Sequence, residues 1–225
     1  MKLTIFAATG GIGRQLLEQA VDAGHEVTAV VRHPQKLPGE LSGQVHVVSA
    51  NLAAPDPATL TAAVQGADGV LSGLGPRSKA ETGIATRGTQ AIVAAMKAAG
   101  ARRIVVVSAA PVGTVPSPAR PNPPKPDPGD GYLMRHLLNP LIKAALGKNY
   151  ADLAQMEDIL RDSDLDWTVV RPPRLTDKPL TGTYRTARGQ NLRRGLVISR
   201  ADVAHYMLRA LQQPETIKQT IGIAN

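Results

Sequence analysis

The sequence predicts an α/β fold: a doubly wound, mostly parallel sheet with helices on both faces and a small C-terminal cap. Three observations favour this class. Strand-like apolar runs alternate with segments whose apolar residues recur at helical spacing. Apolar residues make up 43% of the chain and aromatic residues only 3%, so the core must be aliphatic, as is common in sheets buried on both faces. The length of 225 residues suits one domain over residues 1–225.

The first half of the chain is a regular series of strands and helices. Five strands are predicted, over Lys2–Ala8, Glu26–Arg32, Gln44–Ala50, Asp68–Leu74 and Arg102–Ala109. Three helices are predicted between them, over Gly11–Ala23, Asp56–Gln65 and Gly83–Ala99. Because strand–helix–strand units cross over with one hand and bury both faces of the sheet, this order predicts parallel pairing.

A proline-rich excursion interrupts the series at residues 111–131, which hold eight of the chain's 18 prolines. Neither a helix nor a central strand tolerates that density, so we expect an extended or mobile segment on the surface. Two alternatives stand equal: a spacer, or a lid over a site.

The last part of the chain returns to regular structure around a loop-rich, basic segment at 176–195. The predicted elements are helices over Tyr132–Leu146 and Tyr150–Ser163, a strand over Leu165–Leu175, a short strand at 195–200, a helix over Ala201–Gln213 and a strand at 219–225. We expect the residues after the proline-rich excursion to form the small cap on the substrate side of the sheet.

Composition removes several classes of function. The chain has no cysteine, which excludes disulfides, thiolate catalysis and cysteine-ligated metals, and its five histidines lack metal-ligand spacing. We therefore predict no metal site. The longest apolar runs, such as Ile104–Val107, are too short to span a bilayer, and the chain starts without a signal-peptide pattern. We expect a soluble cytoplasmic protein with no membrane partner.

The net charge of +8 is compatible with a nucleic-acid partner, an anionic small-molecule ligand or a basic solvated surface. Nucleic-acid-binding proteins concentrate basic residues in a patch and use aromatic side chains for stacking, whereas here arginines are scattered and aromatics are scarce. We expect no nucleic-acid partner. The charge favours an anionic small molecule, or it reflects a basic solvated surface.

A glycine turn follows the first strand in "AATGGIGR", residues 7–14. Gly10 and Gly13 match the last two glycines of a G-x-x-G-x-x-G pattern, and Ala7 occupies the first position. A diphosphate approaches backbone N–H groups at a helix N-terminus, where a side chain at position 10 would obstruct it and one at position 13 would hold the helix off the strand. Because the turn opens a helix inside a strand–helix–strand unit, it predicts a dinucleotide site.

The end of the second strand indicates which dinucleotide binds. NAD sites usually carry a carboxylate at this point, to accept a hydrogen bond from the ribose 2′-hydroxyl. This chain has Arg32, followed by Lys36. A guanidinium holds a 2′-phosphate through forked, charge-assisted hydrogen bonds, so we predict NADP(H). The alternative is that Arg32 only ends the strand in solvent.

Two stretches resemble a known family. Residues 4–37, "TIFAATGGIGRQLLEQAVDAGHEVTAVVRHPQKL", and residues 163–177, "SDLDWTVVRPPRLTD", are similar to the two ends of the atypical short-chain dehydrogenase/reductases. The nearest branch is the NmrA-like and biliverdin reductase B (flavin reductase)-like one, so the resemblance implies a Rossmann-type NAD(P)-binding fold. The likeness is strong at both stretches and poor through the proline-rich excursion.

The resemblance also implies a role for each site residue. Thr9, Gly10, Gly11, Ile12 and Gly13 would wrap the diphosphate, Arg32 would hold the 2′-phosphate, Asn51 and Leu52 would flank the adenine, Gly73, Leu74 and Gly75 would line the nicotinamide ribose, Ser108 would lie near the nicotinamide, and Pro172 and Pro173 would border the carboxamide pocket.

The chain departs from the family at its catalytic pair. Most short-chain dehydrogenases use Tyr-x-x-x-Lys, in which the lysine lowers the pKa of the tyrosine so that it acts as a general acid. Tyr150 is followed at that spacing by Ala154, and Tyr132 by His136. Ser108 and Tyr150 remain the candidate catalytic residues, but reduction of a simple carbonyl by a tyrosine acid is not expected.

Two functions are consistent with these residues. The first is an NADPH-dependent reductase that passes hydride to a small-molecule electron acceptor, namely a flavin, a quinone or a similar conjugated compound. The second is a non-catalytic NADP(H) sensor that acts through a protein partner. An epimerase or dehydratase is a weaker third, because it too relies on the missing tyrosine–lysine pair.

Overall fold

The architecture comes from a computed structural model that describes residues 1–76, 81–124, 126–129 and 139–225. Its strands are β1 (Lys2–Phe6), β2 (Glu26–Val31), β3 (His46–Ser49), β4 (Gly69–Ser72), β5 (Arg103–Val107), β6 (Asp166–Arg171), β7 (Arg174–Thr176), β8 (Arg185–Arg188), β9 (Val197–Ser199) and β10 (Gln219–Ala224). Its helices are α1 (Gly11–Asp22), α2 (Gly39–Ser42), α3 (Pro57–Val64), α4 (Ile84–Ala99), α5 (Asn139–Arg161) and α6 (Arg200–Leu211).

Eight strands form one sheet in the order β3-β2-β1-β4-β5-β6-β10-β8. All neighbours pair in parallel except β8, which runs antiparallel to β10. Strands β7 and β9 form a separate two-stranded parallel sheet. The prediction of a doubly wound, mostly parallel sheet is confirmed. The order reverses between β1 and β4, and such a switch point opens a crevice at the carboxyl ends of the strands.

Side chains of β1 show how the sheet is buried on both faces. Leu3 and Ile5 pack into one apolar cluster together with residues of α1 and α6. Phe6 points to the opposite face, into a cluster with residues of α3, α4 and α5. Both clusters are almost entirely aliphatic, as the composition predicts. The carboxyl edge of β1 is therefore held rigidly between two packed layers.

The chain differs from the sequence-based prediction in several elements, including the strand predicted over Leu165–Leu175, which is divided into β6 and β7 in separate sheets. Helix α5 is continuous over Asn139–Arg161, so the break placed between Leu146 and Tyr150 is wrong; the predicted helical residues 132–138 lie outside the described residues. The edge strand β8 lies in the segment expected to be loop. The sequence of β8 begins and ends with arginine and lacks the alternation of apolar and polar residues typical of a strand, so the sequence pattern did not predict it.

The described residues of the proline-rich excursion, 111–124 and 126–129, are largely irregular, as predicted, but they do not lie wholly on the surface. A short 3₁₀ helix spans Ala110–Thr114, and Val112 and Val115 are buried in the core. The expectation of an extended or mobile surface segment is wrong for these residues, because two valines supply apolar area that packs against the sheet.

Within the described residues, no helix has the length and apolar character needed to cross a membrane.

Candidate functional site

The glycine turn joins β1 to α1. Gly10 is the N-cap residue of α1 in an extended conformation, and its N–H donates to the carbonyl oxygen of Ala7 over 2.8 Å. Because glycine has no side chain, the helix has no side-chain cap, and its first turn carries no acidic residue. The first N–H groups of a helix have no partner within the helix, so this end is suited to an anion.

Gly13 and Gly73 allow three backbones to meet below this turn. A Cβ atom on Gly13 would overlap the carbonyl oxygen of Ala7, so α1 could not approach β1 this closely with any other residue. A Cβ on Gly73, just after β4, would lie 3.0 Å from the backbone nitrogen of Gly13. The two glycines thus bring the end of β4 against the start of α1.

Ala7 takes the first position of the glycine pattern at a backbone φ of 57°. This is the left-handed region, which glycine adopts readily and alanine does not. The conformation of the turn is therefore the one that the glycine pattern predicts, although the residue is not glycine.

The first pocket lies at the carboxyl ends of β1, β2 and β3. Eight of the predicted cofactor residues line it: Thr9, Arg32, Lys36, Asn51, Leu52, Gly73, Leu74 and Gly75. Glu81, which lies just before α4, and Ile84, the first residue of α4, also line it and were not predicted. Arg32 Nη2 lies 3.2 Å from Glu81 Oε1. The two residues are 49 positions apart, so no local signal could have paired them.

The second pocket adjoins the first and shares Gly73, Leu74 and Gly75 with it. It is lined by five further predicted residues, Gly10, Gly11, Ile12, Ser108 and Tyr150. Asn149, Leu153, Leu175 and Arg200 also line it and were not predicted. The structure therefore brings the glycine turn and both candidate catalytic residues to one cavity.

Ser108 is held by a buried ion pair. Its hydroxyl donates to Glu157 Oε1 over 2.7 Å, and Arg171 Nε donates to the same oxygen over 2.8 Å. Arg171 and Arg161 donate to the other oxygen, Oε2. Glu157 is fully buried and Arg171 is 5% exposed. Burial would raise the pKa of Glu157, but the charges of Arg171 and Arg161 and these hydrogen bonds hold it below its ordinary value.

Tyr150 lies on α5 beside this network, and burial raises the pKa of its phenol. The position one turn later, where a lysine would lower that pKa, is Ala154, which is 1% exposed. The phenol therefore stays protonated at neutral pH and is a hydrogen-bond donor. Tyr132 and His136, the other pair considered in the sequence, lie outside the described residues.

Three predicted residues do not line either pocket. Gly13 lies underneath the turn, where it packs against Ala7. Pro172 and Pro173 connect β6 to β7; Pro172 is buried, and its carbonyl oxygen accepts a hydrogen bond from the N–H of Ala110 over 2.9 Å. Their place beside a carboxamide stays a prediction. Among the described residues, no group of three acidic or histidine side chains could hold a metal ion.

Arg200, the first residue of α6, reaches the second pocket from the C-terminal part of the chain. Its Nη1 lies 2.6 Å from Asp177 Oδ1. Nothing in the sequence marks this arginine among the others of a basic chain. Only the packing of α6 against α1 brings it to the glycine turn.

Comparison with known proteins places this chain in a family. The family model described as NAD(P)H-binding matches residues 7–214. The chain is also 30% identical over 223 residues to the "uncharacterized sugar epimerase YhfK" of Bacillus subtilis, covering 96% of this chain and 90% of that protein.

Solved structures agree with the fold. A short-chain dehydrogenase/reductase from Veillonella parvula in complex with NADP has a TM-score of 0.76 at 20% identity, covering 100% of this chain and 94% of that one. ChuY, an "anaerobillin reductase" from Escherichia coli O157:H7, has a TM-score of 0.76 at 24% identity, covering 100% and 97%. At these identities the two likenesses establish a shared Rossmann-type fold.

Proposed function

The chain belongs to the NAD(P)H-binding family, and from that premise we propose that it is an NADPH-dependent reductase that passes hydride to a flavin, a quinone or a similar conjugated acceptor. The observation that carries the proposal is that the two pockets share Gly73–Gly75. An extended dinucleotide would run from one pocket into the other, past the uncapped start of α1, and end beside Ser108 and Tyr150.

The residues present fit this cofactor. The N–H groups at the start of α1 suit a diphosphate, and the close contact of Gly13 with Ala7 keeps that end of the helix on the sheet. Arg32 lies at the adenosine end, 48% exposed, where its guanidinium suits a 2′-phosphate. When bound, NADPH supplies the hydride; the chain supplies position and hydrogen bonds.

The acceptor end of the site favours a conjugated acceptor over a simple carbonyl. The hydroxyl of Ser108 donates its one hydrogen bond to the ionised carboxylate of Glu157, so its oxygen can only accept a hydrogen bond from a molecule in the pocket. Tyr150 is the phenol donor there, but it lacks a lysine to lower its pKa. Reduction of an aldehyde needs a proton at the forming oxygen, whereas a conjugated acceptor spreads the charge and takes its proton from water.

Two other functions are set against this one. Some relatives carry the name epimerase, but such chemistry in short-chain dehydrogenases relies on the tyrosine–lysine pair, and Ala154 replaces the lysine. A non-catalytic NADP(H) sensor acting through a protein partner needs no acid at all. It differs from a reductase in turnover alone. In either case we expect a cytoplasmic protein without nucleic-acid or membrane partners.

The test follows NADPH oxidation by the loss of nicotinamide absorbance with FMN, menadione and a simple aldehyde. We expect turnover with at least one conjugated acceptor and none with the aldehyde. The Arg32→Asp variant is the matched control, because it should lose NADPH-dependent turnover and so show that the activity belongs to this site. Tight NADP⁺ binding without turnover of any acceptor would contradict the reductase and favour the sensor.

A further inference from the structure

The side chain of Arg200 lies directly on the glycine turn. A Cβ atom added to Gly11 would stand 2.6 Å from Arg200 Nε and 2.7 Å from its Cδ. Gly11 is the first residue of α1, so the side chain of Arg200 lies against the first turn of this helix. Arg200 is itself fixed at the start of α6, where the hydroxyl of Ser199 accepts the N–H of Asp202 over 2.9 Å.

The charges at this point are poorly balanced. The N-terminus of α1 is the positive end of the helix dipole, and the first turn carries no acidic residue. Arg200 adds a full positive charge there. Its described acidic partner is Asp177, whose side chain is 89% exposed against 30% for Arg200. Water screens so exposed a carboxylate, so the pair contributes little by itself. A doubly charged anion would balance this end far better.

We propose that Arg200 binds the diphosphate of the dinucleotide, and that phosphate oxygens replace Asp177 as its partner. A guanidinium offers five N–H donors in a planar fork that matches phosphate oxygens. Because Arg200 lines the second pocket with Ser108 and Tyr150, its contact goes to the diphosphate and not to the 2′-phosphate near Arg32. This assignment concerns binding alone and goes beyond the proposed reductase activity.

A structural alternative is that Arg200 only ties down the segment after β7 through Asp177. That segment has a second anchor. Asp202 Oδ1 accepts the N–H groups of Thr181 over 2.9 Å and Gly182 over 2.8 Å. Substitution of Arg200 or Asp177 leaves this second anchor in place, so both variants are suitable for a test of binding.

The test uses two variants, Arg200→Gln and Asp177→Asn, with calorimetric titration of NADP⁺, NAD⁺ and adenosine 2′-monophosphate, which has no diphosphate. We expect Arg200→Gln to weaken both dinucleotides by a similar factor of roughly 10 to 100, since a hydrogen-bonded charge is lost. Adenosine 2′-monophosphate should bind as to the wild type. Asp177→Asn should bind both dinucleotides as tightly as the wild type or more tightly, because it removes a competitor for the guanidinium.

Three results would overturn the assignment. They are wild-type dinucleotide affinity in Arg200→Gln, an equal loss of adenosine 2′-monophosphate in that variant, and a loss in Asp177→Asn as large as in Arg200→Gln. The last would mean that the pair acts as a tether. If Arg200→Gln does not fold, Arg200→Lys replaces it, with a smaller loss expected because one charge remains without the fork. Absence of turnover would refute the reductase while leaving these binding constants to decide this assignment.

Discussion

Arg32 Nη2 lies 3.2 Å from Glu81 Oε1 in the first pocket. The guanidinium that suits a 2′-phosphate is thus paired with a carboxylate that would repel one. Both residues line the same pocket, and Glu81 is the more buried of the two, with 24% of its side chain exposed. We therefore expect a bound 2′-phosphate to compete with Glu81 for Arg32 and the pair to influence the choice between NADPH and NADH.

Arg32→Asp should weaken NADPH far more than NADH. The change removes the forked contact and adds a charge that repels the 2′-phosphate, so we expect NADPH to lose at least about 50-fold in affinity. NADH, which has a 2′-hydroxyl, should change by less than about threefold. Titration with both nucleotides checks this. Equal losses, or none, would remove the 2′-phosphate from Arg32.

Glu81→Gln should act in the opposite direction. Loss of the competing charge should tighten NADPH by roughly 3- to 10-fold and leave NADH nearly unchanged, because only the phosphate feels the carboxylate strongly. Glu26→Gln is the matched control, because it removes the same charge far from the pocket. Glu26 is the first residue of β2, its side chain is 73% exposed, and Arg32 follows the other end of the same strand. If the control tightens NADPH equally, the effect is one of net charge and not of this pair.

Sequence patterns predicted those parts of the site that are local in the chain. The glycine turn, Arg32 and the residues just after β3, β4 and β5 each follow a strand directly, and parallel strands bring their carboxyl ends to one edge. Glu81, Glu157 and Arg200 were missed for one physical reason. Glu157 and Arg200 lie on helices, and Glu81 lies just before one, that pack at the site through tertiary contacts. The residues next to each of them in sequence therefore do not indicate its role.

The fold shows the same division. Strands β1 to β5 follow directly from apolar runs. The continuity of α5 across residues 147–149 does not, because Gly147 and Asn149 are weak helix formers and local propensity predicts a break there. The burial of Val112 and Val115 among prolines likewise depends on the neighbouring helix and not on the segment itself.

Glu157→Gln should destabilise the protein strongly. It would leave the charge of Arg171 buried without its partner, and removal of one partner of a buried ion pair costs about 3–5 kcal/mol. Ser108→Ala is the control, because it removes one hydrogen bond to Glu157 and keeps the ion pair, so we expect a loss of about 1 kcal/mol. Urea unfolding at neutral pH gives both values. Similar losses for the two variants would contradict the ion pair as the main contribution.

The carboxylate of Glu157 makes the stability of the protein depend on pH. Because the pKa of Glu157 is lowered in the folded protein from an ordinary value of 4.5, its contribution to the free energy of unfolding is fully present above that value. It should be lost as pH falls from there through the lowered folded pKa. In Glu157→Gln the slope of unfolding free energy against pH below 4.5 should be reduced.

Tyr150→Phe should leave the pH profile of hydride transfer unchanged. Burial raises the pKa of this phenol, so it does not ionise near neutral pH, and we expect it to donate one hydrogen bond to the acceptor. We expect kcat/KM for a conjugated acceptor to fall by about 3- to 10-fold, with the profile flat from roughly pH 6 to 9 in both proteins. A kinetic pKa in that range that disappears in Tyr150→Phe would instead show a proton-donating tyrosine of lowered pKa.

Ala7→Gly should stabilise the protein without loss of cofactor binding. Ala7 has a φ of 57°, and an L-residue in the left-handed region costs roughly 1–2 kcal/mol, of which the greater backbone freedom of unfolded glycine offsets a part. We expect Tm to rise by about 1–3 °C for a chain of this size. NADPH affinity should be retained, because the hydrogen bond from Gly10 N–H uses the backbone oxygen of residue 7.

Lys218→Gly is the control for this effect, since Lys218 has the same φ of 57° in the turn before β10, outside both pockets. It should raise Tm by a similar amount and leave NADPH binding unchanged. Gly13→Ala is the contrasting change in the same turn: its Cβ would overlap the carbonyl oxygen of Ala7, so α1 must move off β1 and NADPH affinity should fall sharply. A lower Tm in Ala7→Gly, with a higher one in Lys218→Gly, would mean that the methyl group of Ala7 contributes more by packing in the first pocket than its backbone conformation costs.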